Sequence, residues 1–126
     1  MPSARWLALF LIAAGCRTAG AWTLSELHFG TACGPGCTPV SDGDWERFVA
    51  EQVTPRFPAG FTVYAARGHW RGDAGPQDEH THVLMVVYPA DDPTAAAKLQ
   101  ELRKLYRDAF RQEAVLEIDL PASASF

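Results

Sequence analysis

The stretch Phe61–Pro89, FTVYAARGHWRGDAGPQDEHTHVLMVVYP, decides the fold. Its opening is rich in β-branched and aromatic residues, and its close has a long apolar centre. A polar segment, Asp73 to Asp78, lies between them. Two such runs around a polar connection read as a β-hairpin with a longish loop. An even loop of about six residues would set Arg71 opposite His80 and His69 opposite His82.

The flanking segments repeat one theme. Upstream, WTLSELHFG (Trp22–Gly30) alternates, with Leu27 and Phe29 on the face expected to be buried and Trp22, Leu24, Glu26 and His28 on the other. Ser41 with Asp44 three positions on is a helix N-terminus, and Trp45, Phe48, Val49, Gln52 and Val53 follow at helical spacing. Pro55 is expected to end that helix, and PRFPAGF to turn into the hairpin. Downstream, Asp92-Pro93 is a cap followed by a proline suited to the first helical turn. Ala95, Leu99, Leu102, Tyr106 and Ala109/Phe110 then trace an apolar stripe, with Lys98, Arg103, Lys104, Arg107 and Arg111 on the solvated side. A last strand is expected over Ala114–Leu120, closed by Pro121.

Strand, helix, strand, strand, helix, strand is the order of an α+β, ferredoxin-like split βαβ fold. It predicts a four-stranded antiparallel sheet in the order fourth, first, third, second, with both helices on one face. The other face is left open, and a second copy of the chain pairing there as a homodimer is one way to cover it.

The N-terminus carries an address. Arg5 precedes an apolar run from Trp6 to Ala14, too short to span a bilayer but suited to the core of a secretory signal. Residues 1–21 are therefore read as a signal peptide and 22–126 as one domain. Two processing sites compete. Ala13-Ala14-Gly15-Cys16 resembles a lipobox, with cleavage before Cys16 and a lipid on it; its Ala13 stands where Leu is usual. Ala19-Gly20-Ala21 offers ordinary cleavage after Ala21. Both imply export, to the periplasm or to an outer membrane through the lipid anchor, which is the one membrane attachment expected.

Charge narrows the partners. Removing Arg5 and Arg17 leaves 9 basic against 15 acidic residues, a net charge of −6. No basic stripe with interleaved aromatics is present in the sequence, which argues against nucleic acid.

Chemistry is suggested at one pole of the sheet. The topology brings His28, His69, His80 and His82 toward the same end, along with Arg71, Glu79 and the CGPGC loop. His80 and His82 share a strand face, and His69 opposite His82 would complete a grouping suited to Zn²⁺ or Cu²⁺. The competing reading is ordinary surface histidines near strand ends. A register slipped by one residue would instead put Arg71 and Glu79 together as an ion pair, or His69 and Glu79 as an acid/base couple. No nucleophile elbow or phosphate loop occurs, so no catalytic residue is assigned and enzymatic activity stays open. The reading favoured is a non-enzymatic envelope protein that binds a small ligand, an ion or another protein. The alternative is a metal-binding protein or small enzyme built on the four histidines.

Several segments carry a family resemblance: ELHFG, SDGDWERFVAEQVTPRFPAGFTVYAARGHWRG, EHTHVLMVV, and KLQELRKLYRDAFRQEAVL with its SASF ending. Together, over Leu24 to Phe126, the chain resembles domain-of-unknown-function family 3574, small exported bacterial proteins that include lipoproteins. His28 stands where the family pattern is more like Tyr, and CGPGC looks like a local elaboration. The resemblance implies domain bounds and an exported setting, and no activity or catalytic residue.

The sequence has 3 cysteines. Once Cys16 is lipidated or removed, Cys33 and Cys37 remain as an even pair in an oxidising setting. Gly34-Pro35-Gly36 lets the chain fold back between them, so a local disulfide is expected rather than free or metal-bound thiols. Closing so short a loop is worth about 2 kcal/mol by chain entropy. Reduction should accordingly lower the melting temperature, and an unchanged melt under reducing conditions would show that the staple matters little.

Overall fold

The alternation in WTLSELHFG forms β1 (Trp22–Gly30), and Ser25, Leu27 and Phe29 are fully buried on one of its faces. The computed structural model describes residues 21–126. The expected signal segment, Ala21 apart, and Cys16 lie outside the described residues.

Ser41 starts α1 (Asp42–Phe48) through a capping box. The Asp44 N–H donates to Ser41 Oγ at 3.1 Å, and the Ser41 N–H donates to Asp44 Oδ2 at 3.3 Å. Two otherwise unpaired amides of the helix start are satisfied this way. Contrary to expectation, the run does not stop before Pro55. It widens into a π-helical turn over Val49–Val53 and ends in one α turn, α2 (Thr54–Arg56). Pro55 falls at the start of that turn, where its missing N–H is not required. Both the N–H and the hydroxyl of Thr54 donate to the Val49 carbonyl, which holds the wider turn.

β2 (Thr62–Gly72) and β3 (Gly75–Pro89) are joined by Asp73 and Ala74 alone. The expected loop from Asp73 to Asp78 is therefore too long. Gly75, with φ of 105°, takes the backbone shape that lets the turn close so tightly. Shortening an even loop from six residues to two keeps the face parity and moves the pairing four residues along β2. Arg67, not Arg71, lies opposite His80; His69 faces Asp78; and His82 faces Ala65.

Asp92 caps α3 (Pro93–Phe110), its carboxylate accepting from the amides of Thr94 at 2.9 Å and Ala95 at 3.2 Å. Ala95, Leu99, Leu102 and Tyr106 are buried as expected, while Ala109 is exposed and Phe110 finishes the stripe. β4 (Leu116–Ala122) begins two residues later than expected and runs through Pro121. It is an edge strand, where a proline costs no ladder bond to an outer neighbour.

The sheet order is β2-β3-β1-β4, every neighbour antiparallel, which is the ferredoxin-like order read from the opposite edge. Both long helical segments pack on the Leu27/Phe29 face. There Phe29 meets Trp45, Phe48 and Tyr106 with ring centroids 4.7 to 5.8 Å apart. The opposite face carries Leu24, Val83, Met85, Ile118 and Leu120 without a covering layer among the described residues, and Tyr64, Leu116 and Leu120 on it are exposed.

The cap supplies a direct test of this description. Ser41→Ala is expected to cost about 1 kcal/mol in urea unfolding. A variant as stable as the parent would show that α1 is held by its packing alone.

Candidate ligand cavity

Gly30 ends β1 beneath a carboxylate. The Glu79 side chain lies so close over its Cα that a Cβ there would collide with it. Glu79 Oε2 accepts the Ala32 N–H at 2.6 Å. Burial pushes the Glu79 carboxyl above its ordinary range, against the opposing pull of the Ala32 and Thr31 amides. Ala32 is held from its other side too, because Gln112 Nε2 donates to its carbonyl at 2.9 Å. The neighbouring loop is tied by the Cys33–Cys37 disulfide, with Cα atoms 5.7 Å apart, as the spacing predicted.

On β2 a second glycine plays a similar part. The Trp70 indole reaches over Gly68, where a Cβ would strike both its Nε1 and Thr81 Oγ1. Trp70 Nε1, Thr81 Oγ1 and His28 Nε2 are buried and have no hydrogen-bond partner among the described residues. All three belong to the open face of the sheet, by strand parity.

Between these elements lies a cavity of about 560 Å³. His28 and Gly30 line it from β1 and Ala32 from the loop after it; Trp70, Arg71, Gln77 and Glu79 from the hairpin; Arg111 and Glu113 from the connection between α3 and β4. Arg111 has φ of 55°, a left-handed backbone at the end of α3. On the β4 side, Arg103 pairs with Glu117 at 2.8 Å, and Asp119 accepts the Ser25 hydroxyl.

The structure divides the residues singled out from the sequence. His28, Arg71, Glu79 and Cys33 line the cavity. His69, His80 and His82 lie on the helix side of the sheet, the face opposite His28, so the four histidines do not gather. His82 stacks on the Trp45 indole, centroids 4.5 Å apart and planes 4° from parallel, and burial lowers its pKa first of all. His69 sits 3.7 Å from Asp78. Among the described residues no group of three or more His, Cys, Asp or Glu side chains is placed to hold a metal ion. Parity also separates Glu79 from both Arg71 and His69, so neither the expected ion pair nor the acid/base couple forms.

Arg111, Gln112 and Glu113 were not visible from sequence as site residues. The one available signal was an arginine directly after the helical stripe, where glycine is usual. A second groove, about 740 Å³, lies at the far end of the sheet among Trp22, Phe57, Phe61 and Phe126. Its charges are already engaged: Arg56 with Glu101, Asp92 in the helix cap, Lys98 over the Phe57 ring. The hairpin-end cavity is the chemically richer one.

The chain belongs to domain-of-unknown-function family 3574, described as a protein of unknown function, whose model matches residues 24–126. No curated protein matches it. Among solved structures it is similar to a phage SAM lyase in the apo state, at 19% identity and TM-score 0.63 over 85% of this chain and 86% of that one. The same description, a phage SAM lyase, in complex with S-methyl-5'-thioadenosine gives 17% identity and TM-score 0.64, over 83% and 84%. CutA from Synechococcus elongatus, complexed with Bis-Tris, gives 9% identity and TM-score 0.51 over 85% of each chain. At these identities the likeness is one of fold.

Glu79 makes the cavity sensitive to pH. Its pKa is raised in the folded state above the ordinary 4.5, so its contribution to stability is complete below pH 4.5 and is lost as pH rises through the folded value. Glu79→Gln keeps an acceptor for the Ala32 amide and cannot ionise. Relative to the parent, this variant should gain stability between pH 4 and pH 7 in paired denaturant melts. A constant difference would show that the carboxyl is not held in a desolvated place.

Proposed function

With family membership carrying no activity, we propose from the geometry that this chain is an exported, non-enzymatic binding module for a small polar ligand, held in the hairpin-end cavity. The observation that carries this reading is the Glu79 carboxyl, half-buried over Gly30 and bonded to the Ala32 amide inside the cavity. Partly burying a carboxyl costs stability unless something else is gained by its position. Around it the cavity has the volume and the mix of aromatic and polar walls of a small-molecule site.

Export is supported by the character of residues 1–21 and by a disulfide that suits an oxidising compartment. Lipid attachment at Cys16 belongs to the same reading. The histidine-based metal or enzyme alternative draws no support from the pairing, which spreads those rings over two faces.

Thermal-shift measurements on the purified protein test the proposal. The panel comprises amino acids, nucleosides including S-methyl-5'-thioadenosine, sugars, and zinc and copper salts. At least one organic probe should raise the melting temperature, since a ligand bound to the native state alone stabilises it by mass action. That shift should vanish in Gly30→Ala, whose new methyl displaces the Glu79 carboxylate. Shifts by metal alone, abolished in the double variant His80→Ala/His82→Ala, would overturn the reading in favour of the metal alternative.

A further inference from the structure

Charges of both signs line the cavity. Arg71 and Arg111 line it, as do Glu79 and Glu113, and none of the four forms an ion pair among the described residues. Of the neighbouring charges, Arg103 pairs with Glu117, and Asp119 accepts the Ser25 hydroxyl. Two cations and two carboxylates thus line one concavity without pairing, with Arg71, Arg111 and Glu113 exposed and Glu79 half-buried. Each wall supplies one of each sign, Arg71 and Glu79 from the hairpin, Arg111 and Glu113 from the connection between α3 and β4.

Arg111 adds a second, independent observation. It is the one non-glycine residue with positive φ among the described residues. A left-handed helix end favours glycine, because a Cβ there crowds the backbone. The chain bears that strain and presents a guanidinium at the cavity rim. Such outliers collect where a side chain serves a site.

Resting on the binding reading above, we infer that the cavity takes a small zwitterion of the α-amino-acid class. Its carboxylate is held by Arg111, its ammonium by Glu79 and Glu113, and its side chain lies against Trp70. A guanidinium presents paired N–H donors that match a carboxylate, and charge-assisted bonds at both ends select against molecules lacking either group. A volume of about 560 Å³ accommodates a free amino acid or a short peptide.

Calorimetric titration of the purified protein with four probes decides the matter. L-phenylalanine carries both charges, N-acetyl-L-phenylalanine only the carboxylate, L-phenylalaninamide only the ammonium, and glycyl-L-phenylalanine both at a wider spacing. The zwitterions should bind about tenfold or more tighter than either singly charged probe. Whichever of phenylalanine and the dipeptide binds tighter identifies free amino acids or peptides as the source. In Arg111→Gly, which relieves the left-handed backbone, the melting temperature should hold or rise while the preference for a carboxylate disappears. Equal binding of a singly charged probe, or a preference that survives Arg111→Gly, would overturn the inference. So would binding of a nucleoside or sugar alone, which leaves the cavity reading standing. Absence of binding by every organic probe would remove both.

Discussion

The Tyr106 hydroxyl donates to the Gly30 carbonyl at 2.9 Å inside the core, and this bond fixes where the last turns of α3 meet the end of β1. Tyr106 is fully buried and packed edge-on against Phe29, and burial pushes its phenol well above the ordinary range, so it stays a neutral donor. Gly30 meets Tyr106 through its carbonyl and the Glu79 carboxylate across its Cα. A single backbone position thereby joins the aromatic core to the cavity. Tyr106 contributes packing and a hydrogen bond at one stroke.

Much of the architecture was legible because local and long-range signals agree. Ser25, Leu27 and Phe29 share one face of a strand whose other face is more polar at its end, and nothing in the sequence argues otherwise. Ser41 with Asp44, and Asp92 with Pro93, mark helix starts by hydrogen bonds a reader can foresee. The misreadings share a cause. Pro55 and Pro121 read as stops in the sequence, but a widened helical turn and an edge strand each remove the demand for the absent N–H. Pro76 and Asp78 suggested a loop, yet tight closure around Gly75 drew both into β3.

That turn also explains why the site was harder to read than the fold. A histidine grouping depends on register as well as parity, and a four-residue change in pairing carried His69 away from His82 without moving it to another face. His28 was always on the other face, as the alternation of β1 already required. Glu79 and Arg71 were recognised as polar residues of interest, though paired with the wrong partners. Arg111 and Glu113 lie more than thirty residues further on and reach the cavity only because α3 ends beside the hairpin tip. Their role is set by three-dimensional proximity, which no local pattern announces.

The pairing of β1 with β4 bears on the order in which the molecule assembles. Ser25 and Asp119, which share a side-chain hydrogen bond, are 94 residues apart, whereas β2 and β3 are joined by two. The hairpin can close within microseconds of collapse; the outer pairing must first overcome the entropy of a long loop. Contacts of that span slow folding across small domains. The cavity takes walls from the hairpin, from β1 and from the segment leading into β4. A chain in which the hairpin alone has paired has one wall of the cavity without the opposing one.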